Sequence, residues 1–277
     1  MPPLLLFEHP LSPYAQKIRI LLREKGLPFE TRMPANIGAG GSMDDFARIN
    51  PRLEVPALQV GDTALYDSTI ILEYLEESFP QPPMMPPVPV DRARMRTIEE
   101  VCDTHWEAIN WGLGELRFFK RGEGTSAPAL RAAAERQVAQ MHRWLEGLLG
   151  DAPWLTGDRF GWGDLSAIPY VAMSKMFGIA PAAGSPLAAW LERARARPSV
   201  ALTVREAMDT LPGMEGVAAL VRSGAFQRQF RDHRLEWMIR SGGIDVVLDG
   251  LREGNIRFTD LAVFSGGAAK ANNQDGE

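Results

Sequence analysis

The chain has 277 residues, 45% of them hydrophobic and 23% charged, and a formal net charge of −5. That length supports two domains, or one large one, with a sizeable core. The acidic balance speaks against a nucleic-acid partner, and no apolar run approaches the ~20 residues that cross a bilayer. The opening MPPLLLFEHP lacks the basic flank of a secretory signal, Cys102 stands alone, and the four histidines (His9, His105, His142, His233) are scattered. No disulfide, Cys-x-x-Cys pair or metal site is therefore predicted, and a cytoplasmic setting is expected.

Residues 4–7 (LLLF) read as a short buried strand. Ser12 then caps a helix, with Pro13 at the first helical position, where a missing N–H costs nothing. Ile18, Leu21 and Leu22 recur at helical spacing, and Gly26 followed by Pro28 stops the helix. The Ser12 hydroxyl thus stands where unpaired backbone N–H groups and the positive end of a helix converge, a place that favours an anion. On this fragment alone, capping explains it. Residues 29–33 (FETRM) suggest a second strand, followed by a glycine-rich loop at 38–41. Residues 55–60 (VPALQV) and 63–66 (TALY) read as two strands joined by Gly61-Asp62. Asp67-Ser68 opens a helix with Ile70, Ile71, Tyr74 and Leu75 on its apolar side. Residues 1–80 thereby form a small α/β module.

The prolines of SFPQPPMMPPVPV, residues 78–90, forbid helix and central strand alike, so 81–90 is predicted to be a stiff linker. Helical patterns follow at 91–120, 128–149, 163–177 and 187–195, and no strand is predicted between 91 and 208. The fold class is α/β plus all-α, with an all-helical domain over 91–208. Residues 209–277 form an extension with two short helical patterns, QRQFRDHRLEWMIRSGG and GIDVVLDGLREGN. Phe226, Phe230, Leu235, Trp237 and Met238 are expected to pack it onto the helical domain. The tail from 265 is small and polar, the composition of a disordered end.

Four stretches, in this order, resemble the cytosolic glutathione S-transferases: SPYAQKIRILLREKG, NPRLEVPAL, DSTIILEYLEE and GDRFGWGDLSAIPYV. The first is similar to the Ser-Pro-Phe opening of tau-type and related Ser-class members. The resemblance covers about residues 4–208. It implies a thioredoxin-like N-terminal domain on an all-helical C-terminal domain, glutathione as co-substrate, and a homodimer.

On that resemblance Ser12 is the catalytic residue, its hydroxyl donating to the glutathione sulfur and holding it as thiolate. A thiol begins near pKa ~8.5, and an O–H donor beside a helix N-terminus supplies about one or two units of depression. The backbone of Val55, before a cis Pro56, is expected to pair with the cysteinyl unit, and Asp67 and Ser68 to hold the γ-glutamyl end. Family members often carry Lys or Gln where this chain has Glu54, so no residue is assigned to the glycine carboxylate, although Arg52 is nearby. Asp164 is expected to cap the helix that starts after Gly161, with a stability cost of about 1–2 kcal/mol on removal.

The electrophile's pocket is expected between the domains, with Tyr14, His105 and Trp111 as candidates. Cys102, Trp106, Ile109, Leu113 and Leu116 form one apolar stripe that suits a core better than a pocket. The expected activity is detoxifying transfer of glutathione to a hydrophobic or aromatic electrophile, by conjugation, ether cleavage, dehalogenation or isomerisation. Disulfide reduction is disfavoured, because Ser12 and Ala15 stand where a thiol reductase needs cysteine. The alternative is a non-catalytic ligand-binding or assembly protein on the same scaffold.

Overall fold

The computed structural model describes residues 3–34, 44–122, 124, 126–226 and 232–256. The loop at 38–41, Phe230 and the tail from 265 lie outside the described residues. Strand β1 (Leu4–Phe7) runs within a four-stranded sheet of order β2-β1-β3-β4. After β1 comes helix α1 (Pro13–Glu24), then β2 (Glu30–Arg32), helix α2 (Asp44–Ile49), β3 (Ala57–Val60) and β4 (Thr63–Tyr66). β1 pairs parallel with β2 and antiparallel with β3, and β3 pairs antiparallel with β4. LLLF does not alternate with polar residues because both faces of its strand are covered. Leu4 and Leu6 join the main core, whereas Phe7 packs against Phe46 of α2 and Ala57, with Leu5 beside them. Val60 sits opposite Thr63, so β3 and β4 are joined by a two-residue turn in which Gly61 takes φ 58°. β3 begins at Ala57, two residues later than its sequence pattern.

Helix α3 (Ser68–Ser78) buries Ile71, Leu72 and Leu75 completely. Ile70, expected on the same face, is 55% exposed, because the buried stripe follows 71, 72 and 75 and turns Ile70 outward. The proline-rich run is tied down between Phe79 and Met85. Lys25 Nζ donates to the carbonyls of Phe79 (2.6 Å) and Pro82 (3.0 Å) and pairs with Glu76, whose Oε1 accepts from the N–H groups of Met84 and Met85. Met84 and Met85 thereby enter the core.

The run leads straight into α4 (Pro89–Val101). The single helix predicted over 91–120 is in fact three pieces: α4, a π turn (Cys102–Trp106) and α5 (Glu107–Arg117). α6 (Ser126–Leu149), α7 (Trp162–Met176) and α8 (Pro186–Arg195) follow the predicted patterns within two residues. α9 (Pro198–Thr210) was not legible, because its buried residues are Ser199, Val200, Thr203 and Ala207 while Leu202 and Met208 face outward. Among the described residues no helix is long and apolar enough to cross a membrane.

α7 is the centre of the helical half, buried without a break from Trp162 to Val171. Asp164 at its start is closed to solvent and accepts four N–H bonds, from Leu155 (2.8 Å), Thr156 (3.3 Å), Gly161 (3.1 Å) and Trp190 Nε1 (2.7 Å). Burial pushes its carboxyl above the ordinary carboxylate range, and these donors pull it back. The residue organises the 155–164 loop as well as capping the helix.

Beyond α9 a short 3₁₀ turn (Leu211–Met214) leads to α10 (Val217–Arg222), α11 (His233–Arg240) and α12 (Ile244–Arg252). Of the five extension residues expected to pack, Phe226 stacks on Phe119 with ring centroids 6.0 Å apart. Leu235 and Trp237 instead stay 38% and 66% exposed and Met238 is half-buried, because α11 packs chiefly against α12.

Candidate functional site

The β1–α1 loop carries Ser12 past the C-terminal end of β1, an interior strand of the sheet. Its φ and ψ of −72° and 117° are extended, Pro13 follows at the first helical position, and its Oγ accepts a long bond (3.4 Å) from the N–H of Ala15. Ser12 is therefore a cap, and its own hydroxyl proton is not used by that bond. Upstream, His9 Nδ1 accepts from the N–H of Leu11 at 3.2 Å, and burial holds its imidazole below the ordinary value.

The loop before β3 is shaped by Asn50, which is 2% exposed. Its amide donates to the carbonyl of Glu54 (2.7 Å) and its Oδ1 accepts from the N–H of Arg52 (3.0 Å). The Val55–Pro56 bond after it is cis, as the resemblance implied. Across the sheet, Asp67 adopts φ 77°, a backbone region that costs a non-glycine residue about 1–3 kcal/mol and recurs at functional sites. Its Oδ1 accepts from the N–H of Thr69 at 3.0 Å, while Arg52 approaches its other oxygen at 3.7 Å. Ser68, next to it, is buried at the start of α3.

These pieces line two adjoining cavities. The first, of about 430 Å³, is polar and takes its walls from Arg52, Val55-Pro56 and Asp67-Ser68 on one side and Glu99, Glu100 and Asp103 on the other. The second, of about 500 Å³, is walled by Ser12, Trp111, Phe118, Phe119, Phe177 and Phe226, together with Met33, Met173, Met176 and Met214. Both volumes are ordinary for small-molecule sites. Tyr14, Glu54 and Val55 belong to both cavities, so the two meet beside Ser12.

A buried ionic cluster lies under the polar cavity. Lys17 Nζ, fully buried, lies 2.6 Å from Glu99 Oε1 and 2.5 Å from Asp103 Oδ2. Glu99 also accepts from Thr69 Oγ1 (2.8 Å) and Trp162 Nε1 (2.7 Å), and Asp103 accepts from the Tyr170 hydroxyl (2.6 Å). Two carboxylates share one ammonium. Burial, the largest effect, together with the Glu99 charge therefore pushes Asp103 above the usual range, against the pull of Lys17. Burial draws Lys17 down, but the two carboxylates outweigh it and its value rises.

Of the residues singled out in the sequence, Ser12, Tyr14, Val55, Pro56, Asp67, Ser68 and Trp111 are brought to this pair of cavities. His105 is not: it lies within the π turn and lines neither cavity, because the face that does runs through Glu99, Asp103, Glu107, Asn110 and Gly114. Cys102 and Trp106 are fully buried core, as their stripe suggested. Glu99 and Asp103 were missed, since charged residues on a helix read as a solvated face until packing brings Lys17 against them. Phe118, Phe119 and Phe226 were missed as cavity residues, since Phe226 stands 107 positions after Phe119 and only packing joins them.

Two family models match the chain: "Glutathione S-transferase, N-terminal domain" over residues 6–83 and "Glutathione S-transferase, C-terminal domain" over 128–193. The chain is 33% identical over 181 residues to a maleylacetoacetate isomerase of Pseudomonas aeruginosa, a match covering 63% of this chain and 83% of that protein. It is 38% identical over 104 residues to a stringent starvation protein A homolog of Haemophilus ducreyi, covering 38% of this chain. That match spans about half, 47%, of the relative's length. Among solved structures, a glutathione S-transferase from Methylobacterium radiotolerans in complex with glutathione sulfonate superposes with a TM-score of 0.61 at 34% identity, covering 73% of this chain and 94% of that one.

Proposed function

Because the chain belongs to the glutathione S-transferase family, we propose that it binds glutathione in the polar cavity and directs the sulfur, as thiolate, to a hydrophobic acceptor in the apolar one. The observation that carries this reading is the meeting of a polar and an aromatic cavity beside a helix-capping hydroxyl. The Val55 backbone, turned by cis Pro56, offers ladder pairing to the cysteinyl unit. Asp67 pairs with the substrate ammonium, and Ser68 at the start of α3 holds the γ-glutamyl carboxylate. Ser12 Oγ–H donates to the sulfur, and the α1 N-terminus adds its positive end. Tyr14 is a poor rival for that task, because its hydroxyl proton is given to the Asp103 carbonyl at 2.8 Å. The thiolate then attacks an electrophilic carbon, and the displaced group leaves with the bonding pair, or the adduct forms directly. Tyr14 and Trp111 flank the acceptor. The same reading takes the protein as a cytoplasmic homodimer with detoxifying activity, divided at residues 80, 90 and 208.

Ser12→Ala tests it. Turnover of a reactive aryl halide should fall at least about tenfold, and the bound thiol's pKa should rise by about one unit or more. Unchanged turnover and pKa would refute the assignment.

The match to a protein named stringent starvation protein A homolog favours a second reading, a binding or assembly protein on this scaffold. Calorimetric titration decides between them: no binding at millimolar glutathione selects the second.

A further inference from the structure

Tyr14 departs from the Ser-Pro-Phe pattern that the chain otherwise resembles, and the added hydroxyl has a defined partner. In the π turn the N–H of Glu107 reaches the carbonyls of Cys102 and Thr104 and passes over that of Asp103. The Tyr14 hydroxyl, 89 positions away in sequence, donates to this Asp103 carbonyl at 2.8 Å. Two further contacts hold the ring. Tyr170 meets it edge-on, with centroids 6.4 Å apart and planes at 82°, and Lys17 Nζ lies 5.9 Å from its centroid. Tyr170 is itself held by Asp103 Oδ1, and Lys17 by Asp103 Oδ2, so one residue of the π turn fixes the ring and both of its neighbours. The ring so held lines both cavities.

We propose that Tyr14 is a positioning residue: its ring is the fixed wall between the polar and apolar cavities, latched by the π-turn carbonyl of Asp103, and it sets the direction in which a sulfur beside Ser12 faces the acceptor. The proposal rests on the transferase reading for its kinetic consequence, but the wall itself does not. A thiolate aimed by a rigid wall reacts from fewer orientations, and that advantage appears in kcat rather than in tripeptide affinity. π turns recur at functional sites, and here the widened turn leaves an acceptor for a residue of the other half of the molecule.

The test compares the parent chain with Tyr14→Phe, which keeps the ring and deletes only the latch. With glutathione and an aryl halide, kcat should fall about fivefold while the KM for glutathione stays within about twofold. The pKa of the bound thiol, read by ultraviolet thiolate absorbance, should not move. Without glutathione, the neutral fluorescent probe N-phenyl-1-naphthylamine should bind the variant about threefold more weakly, because the wall of its cavity is loosened. A raised thiol pKa overturns the proposal by making Tyr14 the sulfur's donor. Unchanged kcat with unchanged probe affinity also overturns it, whatever happens to the melting temperature. If the parent binds no glutathione the transferase reading fails alone, and the probe titration still decides whether the wall exists.

Discussion

Lys17 Nζ and Glu99 Oε1 lie 2.6 Å apart, both closed to solvent, in residues 82 positions apart. The contact joins the helix that Ser12 caps to the first helix beyond the proline-rich run, and Asp103 completes it. Removing one member of such a cluster leaves uncompensated buried charge. Lys17→Met should therefore destabilise the chain by about 3–5 kcal/mol, and adding Glu99→Gln and Asp103→Asn should recover much of that loss. Urea unfolding of the single and triple variants measures both. A single variant within about 1 kcal/mol of the parent would show that the cluster contributes little.

Gly161 offers a direct contest between a local rule and packing. Capping preference alone favours Ser or Thr at this helix start, so Gly161→Ser should stabilise the protein by a few tenths of a kcal/mol. In the fold, a Cβ there would stand 2.4 Å from the Met84 carbonyl oxygen and 2.7 Å from Thr156 Cγ2. Backbone at that distance has to move, and Gly161→Ser is expected to cost about 1–3 kcal/mol. The sign of the change in thermal midpoint decides.

His142 sits on α6 against the Trp106 ring, centroids 5.6 Å apart, with its Nε2 buried and without a hydrogen-bond partner among the described residues. Burial lowers its pKa from 6.5 to about 4. The unfolded chain thus binds more protons than the folded one between those values, and stability falls as pH drops through that window. About 2 kcal/mol should be lost between pH 7 and pH 5 from this group. In His142→Leu the dependence of unfolding free energy on pH should be flatter by that amount, whatever the absolute stability. Parallel curves for the two proteins would exclude a neutral buried imidazole.

The apolar cavity borrows part of its wall from beyond α9, through Gly213, Met214, Val217 and Phe226. A chain ending at Asp209 should keep its glutathione affinity within about twofold and bind N-phenyl-1-naphthylamine at least about fivefold more weakly. Equal probe affinity in the two chains would show that the segment is dispensable for the cavity.

Much of the architecture was legible because it rests on local chemistry. The Ser12-Pro13 helix start, the Gly61-Asp62 turn and the buried face of α3 follow from residue type and spacing, apart from Ile70. α9 escaped because Val200 is the one sizeable apolar residue among its buried positions, while Leu202 and Met208 face outward. The π turn escaped because CDTHW has no helix-breaking residue, and a widened turn arises from what packs on it. His105 lies off the face that lines the cavities, and Asp103 finds its partners only through packing with α1 and α7.

The sequence by itself determined where α1 caps and stops, where α3 begins, the turn between β3 and β4, and the hydroxyl that opens α1. These are decided within a few residues, by backbone hydrogen-bonding needs and side-chain period. Only the tertiary structure decided that Tyr14 meets the Asp103 carbonyl, that Phe226 stacks on Phe119, and that Glu99 and Asp103 share Lys17. Those pairings join residues more than 80 positions apart, and each exists because desolvated rings and charges accept only partners that the whole packed core brings to them.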